Sequence, residues 1–247
     1  MRSEQFRDLT FIDINKDQKL VISCDSAGAI GEKEKDVITV SPKIVGYFTA
    51  HVALAEIYAI GSSPMTIINT LSVEMNPTGK LILEGIQELI KGLNISEDII
   101  VTGSTEENFS TLQTGMGITA IGIIDKKEWK CPYTPKNTSI VVVGIPKLGS
   151  EIRKGDNEII SLNTIKKLKK MEFVHELLPV GSKGILEEVK EMARTNNLNY
   201  HINENSTIDL YKSGGPSTCL IISVNKDTYK DLNKYIQEPF NNIGYFY

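Results

Sequence analysis

The spacing of hydrophobic residues changes several times along the chain, and each change marks an element. Residues 20–23 are a short β-prone run, and Asp36-Val37-Ile38-Thr39-Val40 is a second. A polar, glycine-bearing loop over 25–35 joins them, so both are expected to be strands. Ser41-Pro42 then supplies a helix N-cap followed by proline at the first helical position. The apolar stretch 44–60 that follows stops at Gly61, which predicts a largely buried helix. Residues 65–75 alternate, with Met65, Ile67, Leu71, Val73 and Met75 on one face and Thr66, Thr70, Ser72 and Glu74 on the other, the pattern of a half-buried strand. Over 78–91, Leu81, Ile82, Gly85, Ile86, Leu89 and Ile90 recur at helical spacing before Gly92 closes the segment. With strands at 99–102 and 117–124, the first half reads β-β-α-β-α-β-β.

The polar, proline-bearing segment Cys131-Pro132-Tyr133-Thr134-Pro135 interrupts the pattern and suits a boundary between lobes. The expected lobes are residues 1–130 and 131–247. The second contains a strongly apolar strand at 140–143, helices at 159–170 and 183–195, a strand at 218–224, a helix at 226–237 and an aromatic strand at 243–247. This makes an α+β protein of two similar-sized lobes. No heptad, low-complexity tract or fixed-period repeat is visible.

Composition narrows the function classes. The 247 residues are 40% hydrophobic and carry a formal net charge of -4, so no electrostatic footprint for nucleic acid or an anionic membrane is present. Cys24, Cys131 and Cys219 are odd in number and far apart, which signals neither a disulfide framework nor a zinc site and fits a reducing cytoplasm. Residues 1–7 are polar and no apolar run approaches the roughly 18 residues of a membrane span. The expectation is a cytoplasmic protein, neither exported nor anchored.

Chemistry concentrates where strands end in acidic and hydroxylated residues. Phosphoryl transfer needs hard oxygen ligands for Mg²⁺ and amides or cations for phosphate oxygens. Cys24-Asp25-Ser26-Ala27-Gly28-Ala29-Ile30-Gly31 offers a carboxylate followed by a loop open to a phosphate; an ordinary Asx turn reads the same way. Thr102-Gly103-Ser104-Thr105-Glu106-Glu107-Asn108 offers hydroxyls, carboxylates and an amide, or a polar loop that caps a helix. The face ending in Glu74 is either part of a site or a solvated sheet face. His51, inside an apolar helix, reads as a core histidine, and His175 and His201 have no metal-spaced partner. Cys24 is either a nucleophile or a small strand residue. No P-loop and no protein-kinase signature occurs.

In this order the segments resemble the superfamily of aminoimidazole ribonucleotide synthetase, thiamine monophosphate kinase, selenophosphate synthetase and a hydrogenase maturation factor. The carriers are Cys24-Asp25-Ser26-Ala27-Gly28, the helix end Ala55-Glu56-Ile57-Tyr58-Ala59-Ile60-Gly61-Ser62-Ser63-Pro64, and Thr102-Gly103-Ser104-Thr105 in the place of Gly-Gly-Asp-Thr. Residues 24–34, 69–79 and 102–114 look closest to the α-ribazole kinase branch, which serves salvage of the lower ligand of cobalamin.

The resemblance implies an aminoimidazole ribonucleotide synthetase-like fold, with an N-terminal β-sheet lobe that pairs with its twin in a homodimer and a C-terminal α/β sandwich lobe. ATP and Mg²⁺ are implied in the groove between lobes. It implies an ATP-dependent kinase acting on a small molecule, α-ribazole in the narrow reading. A thiamine monophosphate kinase-like enzyme and a nucleotide-binding regulator without turnover are the alternatives. Carried over residue by residue, Asp25, Glu56, Glu106 and Glu107 supply metal ligands, and Asp25 and Glu106 act in catalysis. Ser26, Gly28, Gly103, Ser104, Thr105 and Asn108 meet the nucleotide. Two departures stand out: Ser104 replaces the family's Asp, and Gly181-Ser182-Lys183-Gly184-Ile185-Leu186 replaces an acidic Asp-x-Ser-Asp-Gly-Leu. The chain end Gly244-Tyr245-Phe246-Tyr247 lacks the reactive cysteine of the maturation factor, and Lys16 and Lys19 lack the cysteine that selenophosphate synthesis needs.

Overall fold

The computed structural model describes residues 2–93 and 99–247; Met1, the start of the polar N-terminal stretch, lies outside them. The chain divides into two compact units, residues 1–57 with 62–128, and residues 58–61 with 129–247.

In the first unit, β1 (Ser3–Phe6) and β2 (Leu9–Asp13) form a hairpin, followed by β3 (Gln18–Gly28) and the two-residue strands β4 (Ile30–Gly31) and β5 (Ile38–Thr39). Next come α1 (Pro42–Ala59), β6 (Ser63–Leu71), α2 (Lys80–Lys91), β7 (Ile100–Thr105) and β8 (Gly115–Asp125). The main sheet has the order β1-β2-β3-β8-β6-β7. Only its β6–β7 pair is parallel, with α2 in the crossover, as parallel pairing requires.

Several expectations change here. The hairpin was hidden because its strands are short and charged, although Leu9 and Phe11 alternate into the core at 1% and 0% exposure. β3 does not stop at residue 23: it pairs with β8 residue for residue as far as Gly28↔Gly115, so Asp25 lies inside a strand and not in a loop. The expected strand at 36–40 shrinks to Ile38–Thr39, because Asp36 turns its carboxylate to Thr114. A register shift between Pro64 and Thr66 turns Met65 outward, and β6 ends at Leu71. Residues 75–79 instead close a π-helical turn.

The buried face of the sheet carries Ile118, Ala120 and Gly122, and α1 lies against it. A side chain at Gly122 would lie 3.2 Å from the Ile57 Cγ2 and 2.5 Å from the Ser62 Oγ. Helices α1 and α2 cross with their backbones in contact. A Cβ on Gly46 would strike the carbonyl oxygen of Ile82, and one on Gly85 that of Lys43.

The second unit contains β9 (Thr138–Gly144), α3 (Leu162–Lys169), β10 (Val174–Pro179), α4 (Ile185–Asn196), β11 (Tyr200–Ile202), β12 (Cys219–Asn225) and β13 (Phe240–Phe246). Its antiparallel sheet has the order β10-β12-β9-β13-β11. Every residue of β9 is buried. α3 begins later than expected, where the Ser161 hydroxyl accepts the Thr164 amide; α4 begins after Gly184, whose φ of 84° interrupts the chain. The helix expected over 226–237 is a 3-10 segment, Tyr229–Lys234, because only Leu232 and Ile236 anchor it in the core. β10 escaped the sequence pattern through Glu176, fully buried in an otherwise apolar strand. Its carboxylate accepts the Thr134 hydroxyl at 2.6 Å and the Asn196 amide at 2.7 Å, which ties the 131–135 segment to β10 and α4. Among the described residues no helix is long and apolar enough to cross a membrane.

The helix crossing yields a direct test. Alanine is the better helix former by about 1 kcal/mol, yet Gly85→Ala forces two backbones apart, and such overpacking costs about 1–3 kcal/mol. The variant is expected to unfold at lower denaturant concentration. A midpoint equal to or above wild type would show that the crossing tolerates a methyl group.

Candidate functional site

The pleat of the main sheet sorts the residues singled out from sequence. Asp25 lies in one cross-strand row with Ile118, Asn69 and Gly103. Ser26 lies in the next row, with Gly117, Thr70 and Ser104. Successive strand residues face opposite sides, so Asp25, Asn69, Gly103 and Thr105 share the buried side of the sheet. Ser26, Thr70 and Ser104 occupy the opposite side, where all three are exposed. Three strand spacings separate Asp25 from Gly103, about 14 Å. Cys24 is exposed on the Ser26 side, its Sγ 3.3 Å from the Thr119 hydroxyl oxygen, so it is not a buried strand cysteine. His51 is 3% exposed with its ring near Phe48, as a core histidine.

Most of the acids at this end of the sheet are occupied. Glu74 accepts the Lys33 ammonium at 2.7 Å and the Thr78 hydroxyl. Burial opposes its ionisation, but these donors outweigh burial and hold its pKa at about 2. Asp36 accepts the Lys33 amide at 2.9 Å and both the amide and hydroxyl of Thr114 at 2.8 and 2.7 Å. Burial again opposes, and these bonds lower its pKa. Lys33, Asp36 and Thr114, none of them singled out from sequence, thus lash the 29–36 loop to the start of β8 and to residue 74.

Glu107 accepts the Met75 amide at 2.7 Å and the Thr105 hydroxyl at 3.0 Å. Glu106 accepts the amides of Asn108 and Phe109, which lower its pKa. Both acids therefore shape the turn after β7. Glu56 is half-buried in the last turn of α1. Among the described residues no group of three or more His, Cys, Asp or Glu side chains is gathered as a metal cage, so Asp25, Glu56, Glu106 and Glu107 do not form one.

Asp25 differs from the other acids. It is half-buried, no ion pair or side-chain hydrogen bond to it occurs among the described residues, and loss of solvent pushes its pKa up to about 6, opposed only by the Ser26 amide. Such a carboxyl is costly to the free protein and is relieved by a cation. Two further positions favour a ligand nearby. Asn69, 3% exposed and missed in the sequence, donates to the Thr102 carbonyl at 2.8 Å and turns its own oxygen toward Gly103. Gly28 ends the strand with open space around the place of a Cβ and without a left-handed φ, so neither packing nor backbone strain requires glycine there. Gly103, by contrast, is required by packing, since a Cβ would strike the Asn69 carbonyl. Ser182 and Lys183 are exposed ahead of α4 in the second unit, and Gly184 packs within 2.8 Å of the Tyr211 backbone at the place of its Cβ.

Comparison with known proteins bears on the fold that carries these residues. Residues 7–124 match the family model of AIR synthase related protein, N-terminal domain. No curated protein matches at the sequence level. Among solved structures, thiamine-monophosphate kinase from Stenotrophomonas maltophilia K279a is similar at 16% identity with a TM-score of 0.65, covering 97% of this chain and 86% of that one. Thiamine monophosphate kinase from Aquifex aeolicus is similar at 13% identity with a TM-score of 0.68, covering 98% and 89%. Hydrogenase maturation protein HypE in complex with ATP is similar at 14% identity with a TM-score of 0.64, covering 95% and 78%. At these identities the structures speak to fold. Residues 7–124, just under half of the chain, are thus similar to the AIR synthase related N-terminal domain, and the chain carries the α+β fold that thiamine-monophosphate kinase and HypE share.

Proposed function

We propose that this chain is an ATP-dependent small-molecule kinase resembling thiamine-monophosphate kinase. The observation that carries this reading is Asp25, a half-buried carboxyl without a cationic partner on the sheet of a nucleotide-associated fold. Two of the similar structures are thiamine-monophosphate kinases and a third is a complex with ATP. They favour thiamine monophosphate as the first acceptor to test. The α-ribazole reading rests on the sequence phrases at 24–34, 69–79 and 102–114 alone. The lost acids at Ser104 and at 181–186 support the remaining alternative, a regulator that binds nucleotide without turnover.

The donor set suits Mg²⁺, which accepts one or two carboxylates and completes its shell with water and substrate phosphates. Asp25 would hold it, and the bound ion would neutralise charge on the transferring phosphoryl group. The chain's own residues do the rest. β3 fixes Asp25 on a rigid element, Gly28 leaves room for a nucleotide past the strand end, and the Lys33–Glu74 and Asp36–Thr114 contacts keep the 29–36 loop in place. Glu106 and Asn108 keep their proposed place through the turn they build. Ser26 and Ser104, on the other side of the sheet, stand outside the metal's shell.

A homodimer belongs to the same proposal. The side of the sheet away from α1 carries Ile22, Ile68, Ile121 and Ile100, the last 67% exposed, and a second copy would cover this apolar surface.

Three outcomes are expected. With Mg·ATP, the γ-phosphoryl group should pass to the phosphate of thiamine monophosphate, forming a phosphoanhydride and releasing ADP, with the diphosphate product seen by mass spectrometry. Transfer to α-ribazole alone would move the assignment to that branch, and nucleotide binding without transfer to either would favour the regulator. Asp25→Asn should lower turnover by about 10²-fold or more, roughly 3 kcal/mol of barrier, while raising the melting temperature of the free protein near pH 8. The sign follows from the raised pKa: the protonated carboxyl favours the folded state below pH 3.8, and that contribution is lost as pH rises through about 6. In Asp25→Asn this part of the pH profile should vanish; an unchanged profile would show that Asp25 is not buried as described. Finally, Gly28→Val should keep wild-type stability yet weaken binding of a non-hydrolysable ATP analogue about tenfold, about 1.4 kcal/mol by titration calorimetry. Equal affinity would place the nucleotide away from this strand end.

A further inference from the structure

The second unit contains a cavity of about 400 Å³ that the kinase reading does not use. Lys147, Arg153 and Lys212 meet Glu151 and Asp156 on its walls, with Ile145 at its side.

The walls are rigid for reasons visible in the backbone. The Ile145 amide donates to the Glu158 carbonyl at 2.8 Å, and the Lys147 amide donates to the Thr218 hydroxyl at 2.9 Å. Gly144, at φ 84°, and Gly215, at φ 51°, allow these strands of chain to interlock; a Cβ on Gly215 would strike the Lys147 carbonyl. Such a frame fixes the backbone from which the lining side chains project.

The cations within it are not equivalent. The Lys147 ammonium, 14% exposed, sits 2.5 Å from Asp156 and 2.6 Å from Glu158. Lys212 sits 2.8 Å from Glu151. Each lysine is held by carboxylates, whose other oxygens take backbone amides: Glu151 that of Leu148, Asp156 that of Glu158. Arg153 is the exception: among the described residues its guanidinium makes no hydrogen bond and no close ion pair, although its charge helps to lower the Asp156 pKa. It is carried on a turn closed by the Asp156 amide to its own carbonyl, with Gly155 at φ 80°.

A planar guanidinium with unused donors matches a phosphate bidentately, and lysine cannot copy that geometry. The carboxylates beside it retain lone pairs suited to accepting hydroxyls. We propose that this cavity binds the phosphomonoester of a small polyhydroxylated compound, with Arg153 gripping the phosphate and Glu151 and Asp156 receiving hydroxyls. The site lies wholly within the second unit and stands independently of the nucleotide reading.

The test reads binding without turnover. Ribose 5-phosphate and ribose are titrated separately into the full chain and followed by protein NMR shifts or calorimetry. Ribose 5-phosphate should bind with a millimolar or lower Kd, corresponding to about -4 kcal/mol or better, and ribose should not. Arg153→Gln should weaken ribose 5-phosphate by about tenfold or more and Arg153→Lys by less, with affinity for a non-hydrolysable ATP analogue unchanged in both. Arg153 is exposed, so both variants should fold. Absence of binding at about 10 mM ribose 5-phosphate, or equal affinity in Arg153→Gln, would overturn the proposal. A parallel loss of the ATP analogue would give the cavity to the nucleotide and overturn it as well. Failure of phosphoryl transfer in the kinase assay would leave this result untouched.

Discussion

The first unit depends on one constraint, the ladder that pairs β3 with β8 over eleven residues, from Gln18↔Asp125 to Gly28↔Gly115. Because side chains alternate strictly across a strand, this register decides what each of the candidate residues can do. It turns Val21 and Ser23 into the core and puts the half-buried Asp25 on the same side, while Cys24 and Ser26 go to the other. A slip of one residue would exchange the two sets and leave a buried serine where the carboxyl now lies. The glycines of β8 make the pairing possible near the site: a Cβ on Gly117 would come within 2.8 Å of the Thr70 hydroxyl oxygen.

The treatment of charge follows from the same register. Glu74, Asp36, Glu106 and Glu107 all find amides, hydroxyls or an ammonium within hydrogen-bonding reach. Their role is to fix the loop and turns around the sheet end. Asp25 is held away from those donors by its place inside the strand, and its raised pKa records the cost. Natural proteins keep such local costs mainly where a ligand or reaction relieves them. Glu106 and Glu107 are spent on the turn after β7, whereas Asp25 is left without a side-chain donor.

The second unit solves a different problem, that of a sheet whose central strand, β9, is buried along its whole length. One buried acid on this sheet is engaged from several sides. Glu176 gathers Thr134 and Asn196 inside the core, a buried acid satisfied by neutral donors where a lone carboxyl would be unfavourable. At the other end of β9, glycines in left-handed conformations let residues 144–147 and 214–218 interlock. The charged cavity is built on that crossing.

Local chemistry in the sequence determined much of this. Ser41-Pro42 and Gly61 marked α1, the 3.6-residue spacing marked α2, and continuous apolar runs marked β9 and β12, because each signal lies within one element and needs no partner. The acid at Asp25 was visible as well, though not its place inside a strand. The tertiary structure alone decided the rest. The N-terminal hairpin and β10 became strands through pairing with distant residues, and β3 outran its apolar run because β8 was there to receive it. Which acids are consumed and which is left bare was equally invisible: Lys33 reaches Glu74 across 41 positions and Asp36 reaches Thr114 across 78. Hydrogen bonds and desolvation depend on distance in space, and a sequence fixes that distance only after the sheet has closed.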